Sequence, residues 1–105
     1  MRFSSRQIHA GVEPDPVTGA ILTPIYQTAA YVQDSVDSYL AKGYSYSRSG
    51  NPTVRALELR LADLEGGADA TCYSTGMAAI NSMLTAFLNA GVHAVLSDVI
   101  YGGTY

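Results

Sequence analysis

The stretch from Ala70 to Ser97 limits the possible folds more than any other part of this chain. A short β-branched and aromatic run, Ala70 to Tyr73, leads through Ser74-Thr75-Gly76 into a helix that the spacing predicts to about Asn89. Met77, Ile80, Leu84 and Leu88 fall on one face of that helix and Ala79, Met83 and Phe87 on another, which predicts burial on two sides. Gly91 ends it, and His93 to Ser97 reads as a second strand before Asp98 and the Gly102-Gly103 turn. Strand, helix, strand in this order is a βαβ crossover, the unit from which parallel sheets are built. The expected fold class is therefore α/β.

Upstream the pattern differs. Residues 1–43 hold three of the four prolines and little helical period, including Glu13-Pro14-Asp15-Pro16 and the extended Leu22-Thr23-Pro24-Ile25-Tyr26-Gln27-Thr28. This predicts an arm rather than a core, broken by one short helix from about Ser35 to Ala41 with Asp34 as N-cap and Gly43 past its end. A firmer helix begins after Asn51, because Asn caps well and Pro52 at the first helical position gives up a donor that has no helical partner anyway. Val54, Leu57, Leu61 and Leu64 make its apolar stripe, Arg55, Glu58, Arg60 and Asp63 are left for solvent, and Gly66-Gly67 stops it.

Composition narrows the function classes. A chain of 105 residues with 48% hydrophobic content fits one small globular domain. The net charge is −3 and no Lys/Arg cluster makes a basic stripe, so a nucleic-acid partner is not expected. Cys72, the single cysteine, allows neither a disulfide framework nor paired metal-ligand spacing and reads as a small core residue. The polar start, Met1-Arg2-Phe3-Ser4-Ser5-Arg6-Gln7, lacks the apolar middle of a secretory signal, and Met77 to Leu88 is too short to cross a bilayer. The expectation is a cytoplasmic protein without a membrane partner.

Three places carry possible chemistry. In Gly43-Tyr44-Ser45-Tyr46-Ser47-Arg48-Ser49, an extended backbone places Tyr44, Tyr46 and Arg48 on one face, so the Tyr46 phenol and the Arg48 guanidinium converge on one anion. A strand edge with a surface arginine explains the same residues. At Ser74 to Met77, the amides of Gly76 and Met77 head a helix and can bind phosphate oxygens, with the Ser74 and Thr75 hydroxyls as further donors. Ordinary N-capping by Ser74 or Thr75 is the other reading. Tyr101 follows the second expected strand at the same carboxyl edge, placed either to stack on a flat ring or to pack on the sheet end. His9 and His93 form no triad or metal set, the acids are scattered, and neither a Gly-x-Gly-x-x-Gly nor a P-loop is present.

The order of these parts is more specific than any one of them. Tyr46-x-Arg48 with Gly50-Asn51-Pro52-Thr53, then Ser74-Thr75-Gly76-Met77-Ala78-Ala79, then Asp98 with Tyr101-Gly102-Gly103-Thr104-Tyr105, resembles the transsulfuration family of pyridoxal-phosphate enzymes. Cystathionine γ-synthase, cystathionine lyase, methionine γ-lyase and O-acetylhomoserine sulfhydrylase are its members. Thr23-Pro24-Ile25-Tyr26-Gln27-Thr28 and Leu64-Glu65-Gly66-Gly67 are similar to that family as well.

The resemblance covers almost the whole chain and implies the opening quarter of a complete member. It implies an arm and inter-subunit clamp over residues 1–50, then at 51–105 the start of a fold-type I, aminotransferase-like pyridoxal-phosphate domain with a mixed, mainly parallel sheet, here incomplete. It also implies an amino-acid substrate and a homotetramer built as a dimer of dimers. Thr75, Gly76 and Met77 match the family's phosphate-binding turn, and Tyr101 matches the tyrosine that stacks on the cofactor ring and assists proton movement. Tyr46 and Arg48 match the pair that holds the phosphate of a neighbouring subunit's cofactor.

Two departures limit what is implied. The cofactor is held covalently through a lysine amine, and Lys42, the one lysine present, lies where the family does not keep that residue. Asp98 is not the acid that pairs with the pyridine nitrogen, and Val92 departs from the Gly-Asp-His that many relatives show before this strand. The expectation is an enzyme of sulfur amino-acid metabolism acting by β- or γ-elimination or replacement, with residues 1–105 alone inactive and weakly stable. Two alternatives are a non-catalytic fragment that docks on full-length homologous subunits and a generic phosphate or nucleotide binder.

Overall fold

The computed structural model describes residues 2–105, apart from the side chain of Lys42, so the reading of Lys42 as non-catalytic lies outside the described side chains. Four helices follow in order: α1 (Phe3–His9), α2 (Val36–Lys42), α3 (Pro52–Glu65) and α4 (Gly76–Phe87). The chain divides into two compact units, one reaching to Thr71 and the other Cys72–Tyr105. No helix among the described residues is long and apolar enough to cross a membrane.

In the first unit α3 starts and stops as its sequence predicts. The Asn51 carboxamide oxygen accepts from the Thr53 N–H at 2.8 Å, Pro52 occupies the first turn, and Gly66 closes the helix in the left-handed region at φ 67°. The extended arm lies against this helix start. Thr53 Oγ1 accepts from the Tyr26 N–H at 2.9 Å and donates to the Pro24 carbonyl at 2.9 Å. Two backbone groups that no sheet satisfies thus find partners on one hydroxyl.

The arm holds a helix that its sequence conceals. α1 has no side-chain cap and too few turns for a visible period, so it depends on docking against α3. Arg6 Nε donates to Asp63 Oδ2 at 2.7 Å and another Arg6 nitrogen to the Asp63 carbonyl. Arg60 donates to the Ala10 carbonyl at 3.0 Å and the Ile8 carbonyl at 3.1 Å, satisfying acceptors that the end of α1 leaves without helical partners. Gly11 makes this approach possible: its φ is +68°, and a Cβ there would lie 2.8 Å from both the Ala56 oxygen and the Arg60 nitrogen.

The expected faces of α3 are only partly realised. Ala62, at 6% exposure, is the one buried apolar residue among the described residues, whereas of the expected stripe Leu64 is half-buried and Val54, Leu57 and Leu61 are exposed. Arg60 and Asp63, expected in solvent, receive the arm, and Arg55 pairs with Glu58 at 3.4 Å and Asp69 at 2.7 Å. Arginine and aspartate dock backbone and charge here without leaving either unsatisfied. The N-cap of α2 is also one residue later than expected. Ser35, not Asp34, accepts from the Ser38 N–H while the Ser38 hydroxyl accepts from the Ser35 N–H, a reciprocal capping box.

The expected βαβ crossover is not formed. Residues 70–73 and 93–97 carry no strand, and the one bridge among the described residues joins Ala30 to Tyr46 in the first unit. Parallel pairs are stable when both faces are covered, and Val95 is 99% exposed. α4 ends at Phe87 instead of Asn89, with Gly91 at φ +90° beyond it. One face of α4, with Met77, Ile80 and Leu84, is half-buried, but Phe87 on the other is 80% exposed, so burial on two sides is not reached. Cys72 is half-buried.

Gly11→Ala should release the arm, since the left-handed region costs a residue with a Cβ about 1–2 kcal/mol before the contact with Ala56 is counted. Faster amide exchange over residues 3–11 with α3 unchanged is the expected result, and unaltered exchange there would contradict it. The arm should also respond to acid. The hydrogen bond from Arg6 holds the Asp63 carboxyl below its ordinary range, and that from Arg55 does the same for Asp69. Depressed folded values contribute stability above the unfolded value of about 3.9 that is lost as pH falls through the folded values. Carboxyl NMR should therefore show the arm docked at pH 5 to 8 and loosening below about pH 4.

Candidate functional site

The Tyr46–Arg48 turn grows out of a two-segment antiparallel pairing. The Tyr31 N–H donates to the Ser45 carbonyl at 3.0 Å and the Ser47 N–H to the Ala29 carbonyl at 2.9 Å, on either side of the Ala30–Tyr46 bridge. Gln33 Nε2 ties the other end, donating to the carbonyls of Tyr31 at 3.0 Å and Tyr44 at 2.8 Å, and the rings of Tyr31 and Tyr44 meet at 5.7 Å. Past Tyr46 the backbone turns: the N–H groups of Ser49 and Gly50 both donate to the Tyr46 carbonyl, at 2.9 and 3.0 Å.

This turn replaces the extended geometry expected from alternation, so Tyr44, Tyr46 and Arg48 do not share a strand face. Tyr46 and Arg48 still meet, for another reason. The Arg48 guanidinium carbon lies 4.5 Å from the centre of the Tyr46 ring, a cation–π contact that orients the planar fork. No carboxylate pairs with Arg48 among the described residues. The result is an exposed cation, held by a phenol and not neutralised, whose chemistry suits a phosphate ester.

In the second unit Thr75 is the N-cap of α4, its hydroxyl accepting from the Ala78 N–H at 3.1 Å. That leaves the amides of Gly76 and Met77 as the helix's unused first-turn donors, and the space a Cβ at Gly76 would take is open. Thr75 caps the helix as acceptor and keeps its own O–H as a donor, while Gly76 and Met77 keep the geometry of an anion site. Tyr101 opens a turn closed by the Thr104 N–H to the Tyr101 carbonyl at 2.8 Å. Its ring folds over Gly103, where a Cβ would sit 2.6 Å from Cε1, yet Tyr101 remains 73% exposed. The Thr104 hydroxyl lies 3.4 Å from Met77 Sδ, bringing this turn to the head of α4.

Ser47, Asn51, Gln33 and Thr104 support these groups and were not distinguishable as supports in the sequence, where each is one polar residue in a loop or cap. Only the Asn51 position carried a signal, that of helix capping. A groove of about 620 Å³ opens beside the arm, near His9, Glu13, Asp15 and Arg55. Two of its charged groups, Asp15 and Arg55, are already engaged. The Thr18 N–H and hydroxyl bond Asp15 and hold its carboxyl below the ordinary range, and Arg55 is paired with Asp69.

Comparison with known proteins places these features in a longer frame. Residues 4–105 match the profile of a family described as Cys/Met metabolism PLP-dependent enzyme. The chain is 49% identical over 102 residues to a cystathionine gamma-synthase of Mycobacterium bovis, covering 97% of this chain and 26% of that protein. It is 48% identical over 103 residues to a cystathionine beta-lyase of Lactococcus lactis, covering 98% and 26%. Among solved structures it is similar to cystathionine gamma-lyase from Lactobacillus plantarum complexed with L-serine. That match has a TM-score of 0.74 at 38% identity over 83% of this chain and 22% of that one. The chain thus spans about a quarter of the length of the curated relatives it matches.

Replacing Thr75 by Ala should weaken α4 by about 1 kcal/mol, the usual cost of a lost hydroxyl cap. Thr75→Ser should restore it. Amide exchange at Ala78 and circular dichroism report the change, and an unaltered Ala78 exchange rate in Thr75→Ala would show that the cap contributes nothing.

Proposed function

The chain belongs to the Cys/Met metabolism PLP-dependent enzyme family, and we propose that it is the arm, clamp and first cofactor-binding segment of a cytoplasmic enzyme of sulfur amino-acid metabolism. The reaction is β- or γ-elimination, or γ-replacement, on a cysteine, homocysteine or homoserine derivative. The observation that carries this reading is the Arg48 guanidinium, stacked on Tyr46 and free of any carboxylate among the described residues. Bound pyridoxal phosphate supplies an electron sink for bond cleavage next to the substrate's amino group.

This chain's own residues hold and orient. Residues 1–50 act as arm and clamp, with Tyr46 and Arg48 donating hydrogen bonds to the phosphate in a neighbouring subunit of a homotetramer. Residues 51–105 open the cofactor domain, where the amides of Gly76 and Met77 present the positive end of α4 to phosphate oxygens and Thr75 keeps that end capped. Tyr101 stacks on the cofactor ring and moves a proton through its phenol oxygen. Tyr101 is 73% exposed, which leaves a face of its ring open to such a partner. No residue of this segment is assigned the reacting amine, so residues 1–105 alone are read as inactive.

The test is cofactor affinity in the full-length enzyme. Loss of a charge-assisted hydrogen bond in Arg48→Ala should cost about 1.5–3 kcal/mol, roughly 10- to 100-fold in Kd for pyridoxal phosphate. Tyr46→Phe, which keeps the stacking but loses the donor, should cost about 0.5–1.5 kcal/mol, a few-fold to tenfold. Unchanged affinity in both would remove the clamp from the cofactor site.

A further inference from the structure

Asn51 does more than begin a helix. An N-cap needs one acceptor, and Ser, Thr or Asp supplies it as well as Asn does. Here the acceptor is spent on the Thr53 N–H at 2.8 Å, and the amide nitrogen makes two further contacts, to the Tyr26 carbonyl at 3.0 Å and to Ser47 Oγ at 3.3 Å. The opposite amide orientation would set donors against the Thr53 N–H and leave the Tyr26 carbonyl facing an oxygen. Ser47 lies between Tyr46 and Arg48 in the turn. Its hydroxyl donates to the Thr28 carbonyl and its N–H to the Ala29 carbonyl, so it is held by the arm on one side and by Asn51 on the other.

One side chain thus ties together the start of α3, the extended arm and the residue between the two clamp groups. Arg48 itself has no ion pair among the described residues to hold it, so the angle at which its fork meets an anion is set by the Tyr46 ring and by the turn beneath. A planar fork loses its advantage when that angle drifts. We propose that Asn51, acting through Ser47, is a positioning residue that sets the Tyr46–Arg48 turn for a phosphate monoester. This rests on the cofactor reading above and adds to it a residue that never touches the cofactor.

The experiment compares pyridoxal phosphate with pyridoxal, which lacks the phosphate, by equilibrium dialysis against the full-length enzyme. Asn51→Ser keeps the helix cap without adding charge but is too short to reach Tyr26 and Ser47, and Ser47→Ala cuts the Asn51–Ser47 link from the other side together with the Ser47 bond to the Thr28 carbonyl. Each should weaken pyridoxal phosphate binding by about tenfold, leave pyridoxal binding and helix content unchanged, and combine in the double variant to less than the product of the two losses. Wild-type affinity in Asn51→Ser, or an equal loss for both ligands, overturns the proposal, the second by showing a merely structural role. Should Asn51→Ser fail to fold, Ser47→Ala carries the same comparison, and wild-type affinity or an equal loss for both ligands overturns the proposal there too. A wild-type enzyme that binds the two ligands equally would instead sink the clamp's cofactor role, and this proposal with it.

Discussion

The structure of the first unit depends on how the start of α3 receives an extended chain. Asn51 and Thr53, two residues apart at the helix N-terminus, satisfy the helix with one set of atoms and the arm with another. An extended segment outside a sheet has a row of backbone groups that must find partners elsewhere. The Pro24–Tyr26 stretch finds them on these two side chains, and Thr28 to Tyr31 finds them on the Ser45–Ser47 segment. The arm therefore arrives at the Tyr46–Arg48 turn already registered against α3, and the turn inherits its position from both.

The same logic explains why α3 leaves part of its apolar stripe open. Hydrophobic spacing identifies a stripe suited to burial, but it does not say which partner is present to bury it. The arm carries carbonyls, a guanidinium and a glycine in the left-handed region, and these match Arg60, Asp63 and the close approach at Ala56. The stripe of Val54, Leu57 and Leu61 has the composition of a surface for apolar partners, and among the described residues it remains open. The two segments read as strands show the same dependence. β-Branched and apolar runs such as 93–97 become strands only against neighbours that pair their backbone and cover their faces.

Legibility followed the range of the interaction. The Asn51-Pro52 start of α3 and its Gly66 stop were readable because capping acts over three or four residues. The cap of α2 was readable to within one position, since Asp34 and Ser35 are both good caps and only the reciprocal Ser35–Ser38 pair decides between them. α1 was not readable, because seven residues without a cap owe their helix to Arg60 and Asp63, more than fifty positions away. At the candidate site the residue pair Tyr46 and Arg48 was legible and its geometry was not. Alternation presumes a strand, and the hydrogen bonds to the Tyr46 carbonyl make a turn.

The sequence by itself determined the helix boundaries set by local caps, the residue types suited to a phosphate and the order of motifs that places the chain in its family. Tertiary structure alone decided which face of α3 is occupied, that Arg48 lies over Tyr46 instead of beside it along a strand, and that Asn51 reaches both the arm and the Tyr46–Arg48 turn. Caps and residue chemistry act within a few positions and can be read in order. Docking joins atoms distant in sequence, so which polar group satisfies which carbonyl is settled only once the chain has brought them together.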